Sequence, residues 1–388
     1  MDRAQYTTLA DALSGVPDPR KRRGVRHQWG LILTLIGAAI LAGQKQVHAV
    51  GQWVGEHTQT LKECLQTPDA RLPSEATLRR ALLAVDTEVL EARLGKFTSG
   101  LDAQASSAPR AGERPLRGQS LDGKQVRGAG AHGRKVHLLS VVRHGSGIVL
   151  AQTQVGCKTN EIGAAPALLA GLDLPGTVTT MDALLAQRAL AQQIVDGGGH
   201  YLMVIKANQP ETLGAIAELF ANPVWLPGEQ GSEYWRCVSS GKAHGRRETR
   251  VLEASTSLND WVRWPGVGQV VRRSCKRVVV KTGMVQEETS YAITSLSHGE
   301  ADAAALEGYW RGHWGIENRV HWVRDVTMGE DAGQARTANA PQAMAALRNS
   351  IISLLRHRRC QNIADALRHY NAHPKLALAL IGALPQRL

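Results

Sequence analysis

Three carboxylates in this 388-residue chain stand where their types and spacing could do chemistry. Asp122 lies in Leu121-Asp-Gly-Lys124, at the end of a strand-forming stretch. Asp182 lies in Thr180-Met-Asp-Ala183, where another strand stops. Glu317 lies in His313-Trp-Gly-Ile-Glu-Asn318, inside a long helical period. In open α/β sheets the reactive crevice lies beyond the carboxyl ends of the strands, where both aspartates would stand. Three carboxylates in one cleft repel one another unless cations are present, and an all-oxygen donor set suits Mg²⁺ or Mn²⁺. Two such ions, about 3.5–4 Å apart, can activate a water or a 3′-hydroxyl and stabilise the leaving oxygen of a phosphodiester.

Taken singly, each carboxylate has a plainer reading. Asp-Gly is a common turn pair, Asp182 can cap the helix that follows it, and Glu317 can be a solvated helix position. Their joint placement in strand order is what favours chemistry. The helix around Glu317 adds a second signal: at about 100° per residue, Trp310, His313, His321 and Arg324 fall within roughly 40° of Glu317. One carboxylate, two imidazoles and a guanidinium make a poor core face. His313, Glu317 and His321 could instead hold zinc, but the two histidines are separated by a rise of about 12 Å, which disfavours a shared ion. Cations gripping phosphate beside a metal-binding glutamate are the preferred reading.

The elements that must position these groups read as an α/β chain with an all-α N-terminal domain. Residues 1–101 are helical: an apolar helix after the Pro17-Asp-Pro19 turn, one from Val47 to Leu65, one opening at Pro73-Ser-Glu75 with Ser74 as N-cap, and one from Asp86 to Phe97. Arg79 and Arg80 admit a helix-turn-helix DNA reader, with a plain bundle as the simpler reading. Residues 102–117 are small, polar and proline-bearing, a linker. Over 118–211 the order is β-β-β-α-β-α-β, with a hairpin at His144-Gly-Ser-Gly147 and then alternating units that predict parallel strands. Residues 212–300 read as a β-rich insertion. Residues 301–388 hold one long helix from Ala303 to about Arg324 and two C-terminal helices, near Asn339 and Asn362.

Apolar residues make up 43% and charged residues 21% of the chain, a globular balance. With 46 basic against 34 acidic residues the net charge is +12, which argues for a polyanionic partner, with nucleic acid the expected one. The five cysteines are scattered and show no CxxC spacing, which fits a reducing compartment. The apolar run Gly30–Gly43 is shorter than the roughly 20 residues a bilayer requires, so no membrane span is expected.

Taken together, the segments Val16-Pro-Asp-Pro-Arg20, Pro73-Ser-Glu-Ala-Thr-Leu-Arg-Arg80, Leu121-Asp-Gly-Lys124, Lys158-Thr-Asn-Glu-Ile162, Met181-Asp182 and Lys206-Ala-Asn-Gln209 resemble a known series. It continues through His313-Trp-Gly-Ile-Glu-Asn318, His321-Trp322 and Asp325-Val-Thr-Met-Gly-Glu-Asp331. In that order they resemble the DDE transposases of bacterial insertion sequences, specifically the ISAs-type group with a helical N-terminal associated domain. The resemblance covers nearly the whole chain. It implies a ribonuclease-H-like mixed sheet flanked by helices, with Asp122, Asp182 and Glu317 as catalytic metal ligands for Mg²⁺ or Mn²⁺, two ions together. It further implies binding of double-stranded DNA at terminal inverted repeats, strand transfer to target DNA, a homo-oligomer on DNA, and a cytoplasmic, nucleoid-associated location.

Relatives commonly surround the glutamate with Tyr-x2-Arg-x3-Glu-x6-Lys; here those positions are Trp310, His313, Glu317 and Arg324. Arg324 keeps the charge, His313 is cationic only when protonated, and the Trp310 ring could stack on an unpaired base. Lys124, Lys158 and Lys206 complete the expected DNA-binding set, with solvated lysine as the alternative for the latter two. His244-Gly-Arg-Arg247 could touch terminal DNA or be a solvated charge run. A DNA-binding relic of such an element, or a related nuclease lacking strand transfer, are the other functional readings; all three carboxylates are present, which disfavours the relic.

Overall fold

The computed structural model describes residues 6–23, 25–67, 69–105, 116–128, 136–156, 160–222, 233–243 and 245–384. The chain opens with α1 (Leu9–Ser14), α2 (Trp29–Leu41), α3 (Val47–Glu56), α4 (Thr58–Cys64), α5 (Glu75–Ala84) and α6 (Thr87–Ala105). Then come β1 (Arg117–Val126), β2 (Val136–Arg143), β3 (Val149–Gln154), α7 (Glu161–Ala170), β4 (Thr177–Met181), α8 (Arg188–Asp196), β5 (His200–Ile205) and α9 (Pro210–Ala221). Next are β6 (Tyr234–Ala243), β7 (Arg246–Ser255), α10 (Asn259–Val262), β8 (Gln269–Val279), β9 (Val285–Thr294) and α11 (Ala303–His313). Two π-helical turns (Glu317–His321 and Val323–Thr327) precede α12 (Ala340–His357), α13 (Ile363–Ala372) and α14 (Pro374–Ile381).

The strands form one mixed nine-stranded sheet in the order β3-β2-β1-β4-β5-β9-β8-β7-β6, flanked by helices, with a helical N-terminal region. This is consistent with a ribonuclease-H-like fold. As the alternating units predicted, β1 pairs with β4 and β4 with β5 in parallel, while β2 and β3 form an antiparallel hairpin. The β-rich stretch adds strands to the same sheet, through antiparallel pairing of β5 with β9. Two compact units divide the chain: Met1–Gly112 with Gly123–Asn160 and Gly315–Leu388, and Glu113–Asp122 with Glu161–Trp314.

In the first unit, α2 is apolar on all sides and buried at eleven of its thirteen positions, as such a helix must be. Among the described residues no helix is long and apolar enough to cross a membrane. The run from Val47 to Leu65 is two helices meeting at His57, not one. Ser74 precedes α5 without a side-chain capping bond; its hydroxyl lies 3.2 Å from that of Thr77 instead. Glu75 pairs with His48 of α3 at 2.8 Å, and Arg79 and Arg80 of α5 are exposed. Helix α6 runs to Ala105, four residues into the stretch read as a linker. Its Asp102 accepts from Arg143 of β2 at 3.0 Å, both buried.

In the second unit, every residue of β4 is buried, and its Thr-Val-Thr-Thr-Met composition suits a strand covered on both faces. Val178, Leu202, Leu252, Val271 and Ala292 from the sheet pack with Leu306 and Trp310 of α11 in one apolar cluster.

Candidate active site

The register of β1 on β4 decides where the two aspartates stand. Arg117 pairs with Thr177 and the match runs in step to Leu121 with Met181. Asp122 and Asp182 are therefore the next residues on two adjacent parallel strands, side by side at the carboxyl edge. Both are partly exposed. Asp182 ends its strand in a turn, its Oδ1 accepting from Leu185 N–H at 3.3 Å. Helix α8 starts only at Arg188, so Asp182 stabilises this turn and is not the cap of α8.

That turn is pinned from the end of β5, the next parallel strand. Asn208 Nδ2 donates to Ala183 O at 2.5 Å and Gln209 Nε2 donates to Ala186 O at 3.1 Å. The Lys206-Ala-Asn-Gln209 motif thus supplies two side chains that hold the Asp182 loop, and Lys206 itself is exposed. Lys158 lies outside the described residues, as does His244.

Helix α11 ends over the same strands. Ser120 Oγ donates to His313 O at 3.1 Å, and His313 Nδ1 lies 3.0 Å from Thr180 Oγ1. Two residues before each aspartate, a hydroxyl therefore fixes the last α-helical turn of α11. Neither Ser120 nor Thr180 is visible as a site residue in the sequence, because small hydroxyls in a strand carry no distinctive signal.

Past Trp314 the winding changes. Residues 317–321 and 323–327 are π-helical, with Trp322 N–H donating to Glu317 O and Met328 N–H to Val323 O. The Ala303–Arg324 stretch is thus not one regular α-helix, and the face drawn at 100° per residue does not exist. Glu317 is exposed, with His321 Nδ1 3.7 Å from its Oε2. His321 is buried; burial pushes its imidazole below its ordinary value, with Arg324 and Lys124 acting in the same direction against the pull of Glu317. A neutral imidazole is the form that ligates metals or accepts protons, so His321 is not the cation the helical face suggested.

Three expected DNA contacts are corrected here. Arg324 is 0% exposed, its guanidinium closed onto Glu330 at 2.6 Å. Lys124 is buried and bound to Asp325 at 2.5 Å. Trp310 is 4% exposed, its ring inside the apolar cluster and under the Arg273 guanidinium at 5.7 Å, with Arg273 held by Glu307 at 2.8 Å. Each group found an intramolecular partner distant in sequence, which single-helix periodicity cannot show. Trp310→Phe is accordingly expected to cost about 1–2 kcal/mol of stability by lost packing. Thermal unfolding and DNA affinity measured together check this: a drop in affinity without a drop in stability would restore the stacking role.

Comparison with known proteins identifies the family. The family model described as "Transposase DDE domain" matches residues 100–355, and the one described as "DDE_Tnp_1-associated" matches residues 10–98. The Escherichia coli O157:H7 protein named "Putative transposase YncI" is 28% identical over 368 residues, covering 93% of this chain and 90% of its own. The Escherichia coli K12 protein named "H repeat-associated putative transposase YhhI" is 26% identical over 357 residues, covering 89% and 90% respectively. A Xanthobacter autotrophicus protein named "Uncharacterized protein in dhlA 3'region" is 31% identical over 287 residues, covering 72% of this chain and 92% of its own. With two adjacent aspartates at the carboxyl edge of its parallel strands and a match spanning most of its length, the chain belongs to the DDE transposase family.

Proposed function

We propose that the protein is the transposase of an insertion sequence: it binds terminal inverted repeats, hydrolyses phosphodiesters at the element ends and joins the exposed 3′-hydroxyl to target DNA. The observation that carries this reading is the β1–β4 register, which sets Asp122 and Asp182 side by side in a chain of this family. Glu317 is the third member of the set, and its carboxylate is exposed.

The donor chemistry fits a divalent cation: the three groups offer oxygen only, and each is at least partly open to solvent. Asp122, Asp182 and Glu317 would hold Mg²⁺ or Mn²⁺, which supply nucleophile activation and leaving-oxygen stabilisation when two ions are bound. The chain's own residues supply rigidity and phosphate contacts. Thr180 Oγ1 lies 3.0 Å from His313 Nδ1, which orients the ring that is proposed to meet phosphate. Lys206 provides an exposed cation on the same edge, with Lys158 as a further proposed contact. Cutting and joining two ends calls for more than one copy on DNA, so a homo-oligomer at the nucleoid is part of the proposal.

The test is cleavage of a duplex bearing one terminal repeat, with Mg²⁺ and with the metal chelated, followed by analysis for joined product. Cleavage with no joining would make the protein a nuclease lacking strand transfer. Binding should also fall steeply with salt, since +12 must act through many phosphate contacts. Six or more contacts predict a loss of roughly a thousandfold between about 50 and 200 mM salt. A change below about threefold would contradict phosphate-dominated binding.

A further inference from the structure

The π-helical turns that follow Glu317 end against a buried charge cluster in the same unit. Glu330 is 2% exposed and receives Arg324 Nε on Oε2 at 2.9 Å and Arg348 Nη1 on Oε1 at 3.1 Å. Arg348 Nη2 also donates to Lys45 O at 2.8 Å, just past α2. Beside it, Lys124 of β1 holds Asp325, and Asp331 Oδ1 accepts from Arg127 N–H at 3.1 Å. Glu330 reaches Arg324 because the chain turns back at Gly329, whose φ is +61° and where a side chain would crowd Lys45; Glu330 N–H then donates to Arg324 O at 2.9 Å. One carboxylate therefore ties the end of the π-helical stretch to α12 and to the segment after α2.

This cluster is a poor device for stability. Burying three charges costs more than most pairings return, and an apolar replacement of similar volume is often as stable. Arg324 Nη1 and Arg348 Nε have no hydrogen-bond partner among the described residues, an added cost. Burial alone would raise the Glu330 carboxyl, yet the guanidinia of Arg324 and Arg348 bring it below its ordinary value, so it stays charged. What the cluster does supply is a fixed register. Winding with i→i+5 bonds is rare and persists where surrounding structure imposes it. On one side Ile316 and Val320 pack with Val142 and Val149 of the β2–β3 hairpin; at the far end the stretch's own Arg324 is anchored by Glu330. If that anchor is released, the turns can relax to α-helical winding and Glu317 changes the direction in which it leaves the helix.

We propose that Glu330, clamped by Arg324 and Arg348, is a positioning residue that holds the π-helical register and through it the orientation of Glu317. The inference rests on Glu317 being the third carboxylate of the site, so Glu317→Ala is measured in parallel. Single-turnover cleavage of a terminal-repeat duplex in Mn²⁺, affinity for that duplex, and amide hydrogen exchange are compared for wild type and Glu330→Gln. The clamp predicts cleavage slowed about a hundredfold with affinity unchanged, the loss a displacement of about 1 Å produces. It also predicts faster exchange at Trp322 and Met328 by at least about tenfold, with helices elsewhere still protected.

Should Glu330→Gln not fold, the triple variant Arg324→Met, Glu330→Met, Arg348→Met keeps the volume without stranded charges. Wild-type cleavage by a folded variant of either kind, or unchanged exchange at Trp322 and Met328, overturns the proposal. Wild-type cleavage by Glu317→Ala would instead overturn the site reading on which it rests, and the exchange result would still judge the clamp.

Discussion

Asp122→Ala, Asp182→Ala and Glu317→Ala will each reduce Mg²⁺-dependent cleavage of a terminal-repeat duplex by roughly three orders of magnitude or more, with affinity for the duplex nearly unchanged. The separation follows from what each group does. A metal ligand acts on the chemical step, whereas affinity is the sum of many phosphate contacts to which three acidic side chains contribute little. Asp122 stands on β1 and Asp182 directly follows β4, and the turn that loses its Leu185 hydrogen bond in Asp182→Ala is still held by Asn208 and Gln209. Losses in both cleavage and affinity would point to a folding defect, which circular dichroism would show. Full cleavage by Glu317→Ala would move the third ligand elsewhere. Glu330 cannot take its place, because it is sealed between two arginines.

Glu91→Gln will stabilise the protein above neutral pH and leave it nearly unchanged at pH 5. Glu91 of α6 is buried, and that burial pushes its carboxyl up to about 7, despite hydrogen bonds from Gln152 of β3 at 2.6 Å and Gln342 of α12 at 2.9 Å. Asn349 completes the group by donating to Gln152 Oε1 at 2.6 Å. The folded protein therefore holds this proton more tightly than the unfolded chain, whose carboxyl titrates near its ordinary 4.5. Stability from this group is complete below the unfolded value, declines as pH rises through 4.5 toward 7, and stays reduced above it. The span corresponds to about 3 kcal/mol. Glutamine mimics the protonated side chain, and a flip of the Gln342 amide satisfies both groups. The check is the difference in unfolding free energy, variant minus wild type, across pH 5 to 8. A difference that does not change with pH would show that Glu91 is charged throughout.

The candidate site was legible in the sequence where local pattern and tertiary structure agree. Buried parallel strands are short β-branched and apolar runs ended by a polar residue, so Thr177–Met181 and His200–Ile205 could be read with their ends, and Asp182 with them. The hairpin was marked by Gly145 and Gly147, both of which have positive φ. The surroundings of Glu317 were not legible for an equally physical reason. Periodicity assumes a constant winding, and the turns at 317–321 and 323–327 wind differently, where contacts from distant segments meet them. Those contacts also reverse the meaning of polarity: Arg324 and His321 look like a solvent or phosphate face and are buried, because Glu330 and Glu317 answer them. Helix α14 was missed although Pro374 at its start and Gly382 at its end, with φ +80°, are ordinary helix signals.

The central claim is that Asp122, Asp182 and Glu317 serve one divalent-cation site. Mn²⁺ binding to the protein on a terminal-repeat duplex, followed by electron paramagnetic resonance for wild type and for each alanine variant, tests it without relying on turnover. Wild type should remove Mn²⁺ from solution at concentrations where all three variants bind it at least about tenfold more weakly. Equal Mn²⁺ binding by wild type and all three variants would contradict the account.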